Sequence, residues 1–236
     1  MQSNIEYIGN ELELFQHAVN WKKYFSSFFH TYIRGSVAEV GAGMGANIPY
    51  LINPSVTSYY CIEPDAKLLS VIINKIASGK LPKICKVKQG YLPADSENAF
   101  DTILYVDVLE HIEDDLGELK KAARALKPGG NLCILVPANP KDYTAFDKAI
   151  GHFRRYTKTM LLETVPESLD IEWCRYLDFF GSLASKVNKI FLNQSQPSRK
   201  QILVWDKFII PVSKIIDKPT GFKHGKSLLL VAKKPG

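Results

Sequence analysis

Ser36-Val37-Ala38-Glu39-Val40-Gly41-Ala42-Gly43-Met44-Gly45-Ala46-Asn47 decides how the rest of this 236-residue chain is read. Val37 to Val40 reads as a strand. Gly41, Gly43 and Gly45 then make a turn with no side chains in the way, and the residues after it open a helix. Such a turn lets a ligand come up against backbone N–H groups at a helix N-terminus, a natural seat for a nucleotide-like molecule. Two acids flank the turn. Glu63 follows the second strand, about twenty residues on, where an acid accepts hydrogen bonds from both hydroxyls of a ribose. Glu39 lies inside the first strand, where a carboxylate is expensive to bury. It serves either to orient the glycine loop or to answer the ammonium of an amino-acid moiety, directly or through water. A nicotinamide cofactor has no ammonium to answer, and the spacing Gly41-x-Gly43-x-Gly45 is not GxGxxG.

Working outward, the apolar spacing before the turn predicts a helix over 11–33 with a wide apolar face, ended by Gly35. After the turn the pattern predicts a short helix over 47–52, with Pro49 in its first turn. Strand and helix then alternate: strand 58–62, helix 66–77, strand 83–88, strand 100–106, helix 114–126, strand 131–136. This is the pattern of a doubly wound, mostly parallel α/β sheet whose ligands sit at the carboxyl ends of the strands. Beyond it come a polar segment over 140–156, a helix over 158–165 capped by Thr157, and a sixth strand over 171–177. Two amphipathic helices over 179–191 and 201–216 follow, separated by a breaker at 193–198. A last strand runs over 227–232.

The composition, 46% hydrophobic and 23% charged, is that of a soluble globular protein and argues against wholesale disorder. No apolar run reaches the length of a membrane span and the N-terminus has no leader pattern, so a cytoplasmic location is expected. Cys61, Cys85, Cys133 and Cys174 each fall in a predicted strand and none makes a CxxC pair. Buried free thiols are expected, with no disulfide framework; no metal site is expected. Charge is uneven. Residues 1–138 hold 13 Lys and Arg against 15 Asp and Glu, whereas residues 139–236 hold 17 against 9. The basic C-terminal half presents either a solvated surface or a face toward something anionic, such as a phosphate, a nucleotide or a membrane surface.

Three stretches carry a family likeness. The segment from Val37 to Gly45 resembles the first motif of the class I S-adenosylmethionine-dependent methyltransferases. Phe100-Asp101-Thr102-Ile103-Leu104-Tyr105-Val106-Asp107-Val108-Leu109-Glu110-His111-Ile112 resembles that family's fourth-strand motif, and Leu126-Lys127-Pro128-Gly129-Gly130 its turn into strand five. Gly151-His152-Phe153-Arg154-Arg155-Tyr156-Thr157, with the segment from Gly225 to Ala232, is similar to a bacterial subgroup of methyltransferases associated with glycan and surface-polysaccharide genes.

The resemblance implies a Rossmann-like class I methyltransferase fold with a seven-stranded sheet, an N-terminal helix and a helical insert between the last two strands. The implied division is an N-terminal arm over 1–34, a cofactor-binding core over 35–178, a helical insert over 179–224 and the last strand over 225–236. The implied cofactor is S-adenosyl-L-methionine, with S-adenosyl-L-homocysteine as product. Glu39, Gly41, Ala42, Gly43, Gly45, Asn47, Glu63, Pro64, Asp107 and Val108 are the expected cofactor residues. The acid usual after strand three is missing, and Gln89, Gly90 and Tyr91 stand in its place. Asp107 either borders the methionine end of the cofactor or caps the loop before the next helix.

His111 and His152 are the candidate bases. His111, His152, Arg154, Arg155 and Tyr156 are the candidate substrate residues, set against a plain salt-bridged segment fastened to Asp142 or Asp147. The expected activity is methyl transfer at oxygen to a small-molecule or glycan- or lipid-linked acceptor, itself anionic on one reading. The alternatives are N- or C-methylation of a small metabolite and a non-catalytic cofactor-binding protein. No nucleic acid is expected as partner. Peripheral membrane contact, and a monomer or homodimer, remain open readings of the helical insert.

Overall fold

The computed structural model describes residues 11–184 and 198–236. Its centre is a seven-stranded sheet. The strands are β1 (Gly35–Val40), β2 (Val56–Glu63), β3 (Cys85–Gln89), β4 (Phe100–Val106), β5 (Leu126–Pro137), β6 (Asp170–Leu177) and β7 (Ser227–Lys233). Their order is β3-β2-β1-β4-β5-β7-β6. The first five pair in parallel, and β7 runs antiparallel between β5 and β6. Between β1 and β4 the order reverses direction, which opens a crevice at the carboxyl ends of those two strands.

The strands are apolar on both faces because both faces are covered. Leu104, Val106, Cys133, Leu135, Leu229 and Val231 pack into one core, whereas Ile103, Tyr105, Leu132, Ile134, Leu228 and Leu230 pack into the other. The period-two alternation thus assigns residues to layers, not to inside and outside. On one face, α2 (Val19–Phe29) brings Trp21, Tyr24, Phe25 and Phe29 onto the sheet. On the other, α5 (Asp115–Ala125) brings Leu119, Ala122 and Ala123. All four cysteines are buried and free.

Helices α3 (Ile48–Leu51) and α4 (Ala66–Ala77) and strand β4 stand where the pattern predicts them. After the short α6 (Ala145–Ala149), Thr157 caps α7 (Lys158–Thr164) by accepting from the Met160 N–H at 3.1 Å. The N-terminal segment departs from expectation. The single helix predicted over 11–33 is two, α1 (Glu11–Phe15) and α2, with a break at residues 16–18. The start of α2 has no local side-chain cap. Asp206, far along the chain, accepts from the Trp21 N–H at 2.8 Å and the Asn20 N–H at 3.1 Å in its stead. A cap supplied by tertiary structure leaves no local signal. Strand β5 is longer than predicted, because Leu126 already pairs with Phe100 before the Lys127–Gly130 turn.

The C-terminal helix runs through Arg199–Val204, a π turn at Trp205–Ile209, and Ile210–Ile216. Ser198 starts it in a reciprocal capping box with Gln201. Residues 179–184 are the beginning of the preceding predicted helix; its remainder and most of the breaker lie outside the described residues. Among the described residues no helix is long and apolar enough to cross a membrane.

Candidate active site

Backbone geometry builds the site first. Gly41, Gly43 and Gly45 have φ of +67°, +55° and +72°, a region where a side chain is strained. A Cβ on Gly41 would lie 2.5 Å from Val108 Cγ2, so Val108 packs directly on the turn. At Gly43 a Cβ would meet only the Leu12 side chain, at 3.5 Å, so this is the open point of the loop. Asp107, at the end of β4, has φ +53°. Its N–H donates to Leu135 O at 2.9 Å, which fixes the turn that leads into Leu109–His111.

A cavity of about 710 Å³ opens above these two strand ends, within the ~300–1,000 Å³ of small-molecule sites. The glycine loop and Asn47 form its floor. Phe15, Trp21, Phe25 and Trp205 form an apolar side. The loop over 140–155 closes the opposite side. Its ends are stitched together by Tyr156 N–H donating to Pro137 O and Asn139 N–H donating to Tyr156 O, each at 2.9 Å.

Of the sequence-predicted residues, Gly41, Ala42, Gly43, Asn47, Asp107, His111, His152 and Arg155 line the cavity. Others support it from behind. Glu39 is 1% exposed, accepts from Tyr59 Oη at 2.9 Å and is hydrogen-bonded to Asn47. Burial lifts its carboxyl to about 7, against the pull of those two bonds. Its contact with the floor therefore runs through Asn47. Glu63 accepts from the Gly43 N–H at 2.7 Å and the Asp65 N–H at 2.9 Å, tying the end of β2 to the glycine loop. Burial raises its carboxyl against those bonds. Pro64, Gln89, Gly90 and Tyr91 stand at the ends of β2 and β3, where the Gly90 N–H donates to Glu63 O at 3.0 Å.

The residues predicted to meet substrate are divided. His152 Nδ1 lies 3.0 Å from Asp147 Oδ1, and Arg155 grips the same carboxylate with Nε at 2.8 Å and Nη2 at 3.0 Å. Burial opposes ionisation of Asp147, but the bonds from His152 and Arg155 prevail and hold its carboxyl well below the usual range. Arg154 instead pairs with Asp115 and donates to Glu113 O at 2.7 Å. Tyr156, 1% exposed, donates to Asp115 Oδ2 at 2.8 Å. Arg154 and Tyr156 fasten the loop to α5 and are not on the cavity wall.

Among the wall residues, sequence reasoning did not single out Glu110 or Lys22, and named Asp147 only as a salt-bridge partner. Glu110 is 1% exposed, and burial followed by the Asp107 charge raises its carboxyl well above the usual range. Lys22 is 4% exposed; burial lowers it to about 8, partly offset by Asp206 and Asp107. Asp147 completes the wall under His152. The fourth-strand motif contained Glu110, but nothing local marks a lysine in an aromatic helix as cavity-facing. Asp107 is exposed to the cavity at the end of β4, and the walls packed around it raise its carboxyl to about 7, with Lys22 opposing. Burial and the neighbouring His152 lower His111 to about 4, so it stays neutral. The two imidazoles meet edge to face with centroids 4.5 Å apart.

Known proteins share parts of this sequence and its fold. A family model described as a methyltransferase domain matches residues 15–180. A ubiquinone biosynthesis O-methyltransferase of Ruegeria pomeroyi is 39% identical over 51 residues, 21% of each chain, so the match spans about a fifth of that relative. Among solved structures, the [4+2]-cyclase SpnF superposes with a TM-score of 0.61 at 16% identity, over 92% of this chain and 80% of that one. A phosphoethanolamine N-methyltransferase of Haemonchus contortus, in complex with S-adenosyl-L-methionine, does so with 0.64 at 13% identity, over 96% of this chain and 58% of that one. The structural likenesses establish the fold, and the domain match covers most of the chain, glycine loop and β4 wall included. The chain belongs to the methyltransferase-domain family and has the class I methyltransferase fold.

Proposed function

We propose that this enzyme methylates a hydroxyl oxygen on a small, largely apolar acceptor, free or lipid-linked, with glycan-bearing lipids in that class. The observation that carries the reading is the convergence of Asp107, Glu110, His111 and His152 on one wall of the cavity whose floor is the glycine loop. S-adenosylmethionine, when bound, supplies a methyl group that is already electrophilic. The chain's own share is to hold the acceptor in line, exclude water and receive the hydroxyl proton. An amine acceptor need only arrive neutral, whereas a hydroxyl needs a base within reach, and His152 and Asp107 stand on that wall.

His152 and Asp107 suit that duty best. Asp147 holds the Nδ1 side of His152, which leaves Nε2 as the accepting nitrogen. Asp107, at about 7, titrates where a base is most effective. Neutral His111 positions the acceptor beside them. On the cofactor side, the residues fit a nucleoside joined to an amino acid. Gly43 is open to close approach and Glu39 acts through Asn47; we assign the ribose to Glu63, which holds the glycine loop from behind, and the adenine to Pro64, Gln89, Gly90 and Tyr91 at the neighbouring strand ends.

The C-terminal helix supports the lipid-linked part of the reading. Its inner face gives Ile202 and Trp205 to the cavity. Its outer face exposes Leu203, Val204, Phe208, Val212 and Ile215 beside exposed Arg199, Lys200, Lys207, Lys214 and Lys218, with Asp206 and Asp217 turned inward. An apolar stripe bordered by cations suits an anionic lipid surface.

The test is S-adenosylhomocysteine release from methyl-labelled S-adenosylmethionine with matched hydroxy and amino acceptors, soluble and vesicle-borne. Transfer to hydroxyls that falls by ~10²-fold or more in His152→Gln is expected. Transfer confined to amines would overturn the oxygen assignment.

A further inference from the structure

Glu110, His111 and His152 offer ligand atoms that all lie within 4.8 Å of one another. Two come from the Leu109–His111 turn after β4, and the third from the loop that closes the cavity. Glu110 Oε2 is buried and has no hydrogen-bond partner among the described residues, although the residue sits on a polar wall. A buried carboxylate oxygen without a partner is costly, unless a cation faces it. Meanwhile the outer edges of both imidazoles are already held. His152 Nδ1 rests on Asp147, itself gripped by Arg155, and His111 is hydrogen-bonded to the backbone of Gly151. That leaves His152 Nε2 facing inward, 3.8 Å from Glu110 Oε1. Outer-shell carboxylates and carbonyls that fix the ring and tautomer of a histidine are the usual support of a metal ligand.

We propose that Glu110, His111 and His152 form a binding site for a divalent first-row transition ion in the wall of the methyl-transfer cavity. Two imidazoles and one carboxylate suit Zn²⁺, Mn²⁺, Fe²⁺ or Co²⁺, and three protein ligands leave positions open toward the cavity. Bonds of ~2.1 Å place neighbouring donors ~3–4 Å apart, so small side-chain rotations bring the three onto one ion. The site was not expected from the sequence, because its third ligand comes from a distant loop and no spacing announces it.

The role of the ion rests on the oxygen-transfer reading above. An acceptor hydroxyl on the open position would form an oxygen–metal bond and lose its proton to Asp107. His152 Nε2 then serves as ligand and Asp107 as base.

The experiment titrates chelator-treated, S-adenosylhomocysteine-loaded protein with Co²⁺ and Zn²⁺, followed by calorimetry and by visible absorption for Co²⁺. One equivalent is expected, with the d–d bands of nitrogen- and oxygen-bound Co²⁺. Binding should weaken ~10–100-fold or more in Glu110→Gln and His152→Gln, with S-adenosylhomocysteine affinity unchanged. Absence of stoichiometric binding to the wild-type protein overturns the site, whatever the variants do. Binding that both folded variants retain also overturns it. A second arm restores hydroxyl methylation in chelated enzyme by adding Zn²⁺ or Mn²⁺. Stoichiometric binding without such restoration overturns the role in transfer. Stoichiometric binding with transfer confined to amines counts against the oxygen reading and for the site.

Discussion

Replacing Glu39 with Gln should change how stability depends on pH. The carboxyl is 1% exposed inside β1, and burial lifts it from 4.5 to about 7. Between those values the folded protein keeps the proton and the unfolded chain loses it. Stability therefore falls as pH rises through that window and levels off above it. At ~1.4 kcal/mol per pH unit the full penalty is ~3 kcal/mol, of which less than ~1 kcal/mol has accrued at pH 5. Gln cannot ionise and still offers an oxygen to the Tyr59 hydroxyl and to Asn47. Its own packing cost is the same at every pH. In urea unfolding, the variant should gain ~2–3 kcal/mol on the wild type between pH 5 and pH 8.5. That is ~5–10 °C in melting temperature for a chain of this size. Curves for the two proteins that stay parallel over this range would refute the reasoning, because they would mean that Glu39 titrates alike in both states.

Three further outcomes are expected. Gly41→Ala should cost ~1–3 kcal/mol for its left-handed backbone, plus the displacement of Val108. Gly43→Ala incurs only the backbone cost, since its Cβ has room. Paired melting and S-adenosylhomocysteine titrations check this, with Gly41→Ala the less stable of the two and Gly43→Ala losing mainly affinity. Asp206→Ala uncaps α2 and should destabilise by ~1–3 kcal/mol in urea, while lowering Lys22 further below its value of about 8, as followed by NMR titration. Phe208→Asp, at a side chain 61% exposed, should leave stability within ~0.5 kcal/mol and turnover of a soluble acceptor unchanged. Sedimentation with anionic vesicles should fall in the same variant, and undiminished sedimentation would remove that helix from the lipid contact.

Much of the fold was legible because its signals are local. Helix α4 shows its apolar face within three turns and its Asp65 cap one residue before the helix, and β4 is apolar almost throughout. The break between α1 and α2 was not legible, because the cap that allows it comes from Asp206 on the C-terminal helix. The early pairing of β5 escaped notice for a similar reason. Leu126 looks like the end of a helix until Phe100 is beside it.

The site divides along the same line. By itself the sequence determined the cofactor half: a glycine turn between a strand and a helix, an acid after the next strand, and the methyltransferase fold those imply. Such a floor is made of backbone conformation, and residues adjacent in the chain specify it. Only the tertiary structure decided the half we propose for the acceptor. It turned Arg154 and Tyr156 away to fasten a loop, and set Arg155 on Asp147. It also brought Lys22 to the wall and placed His152 against Glu110 and His111. Those side chains come from separate elements, and their charge states follow from shared burial, which exists only once the sheet has gathered its covering helices and loops around one cavity.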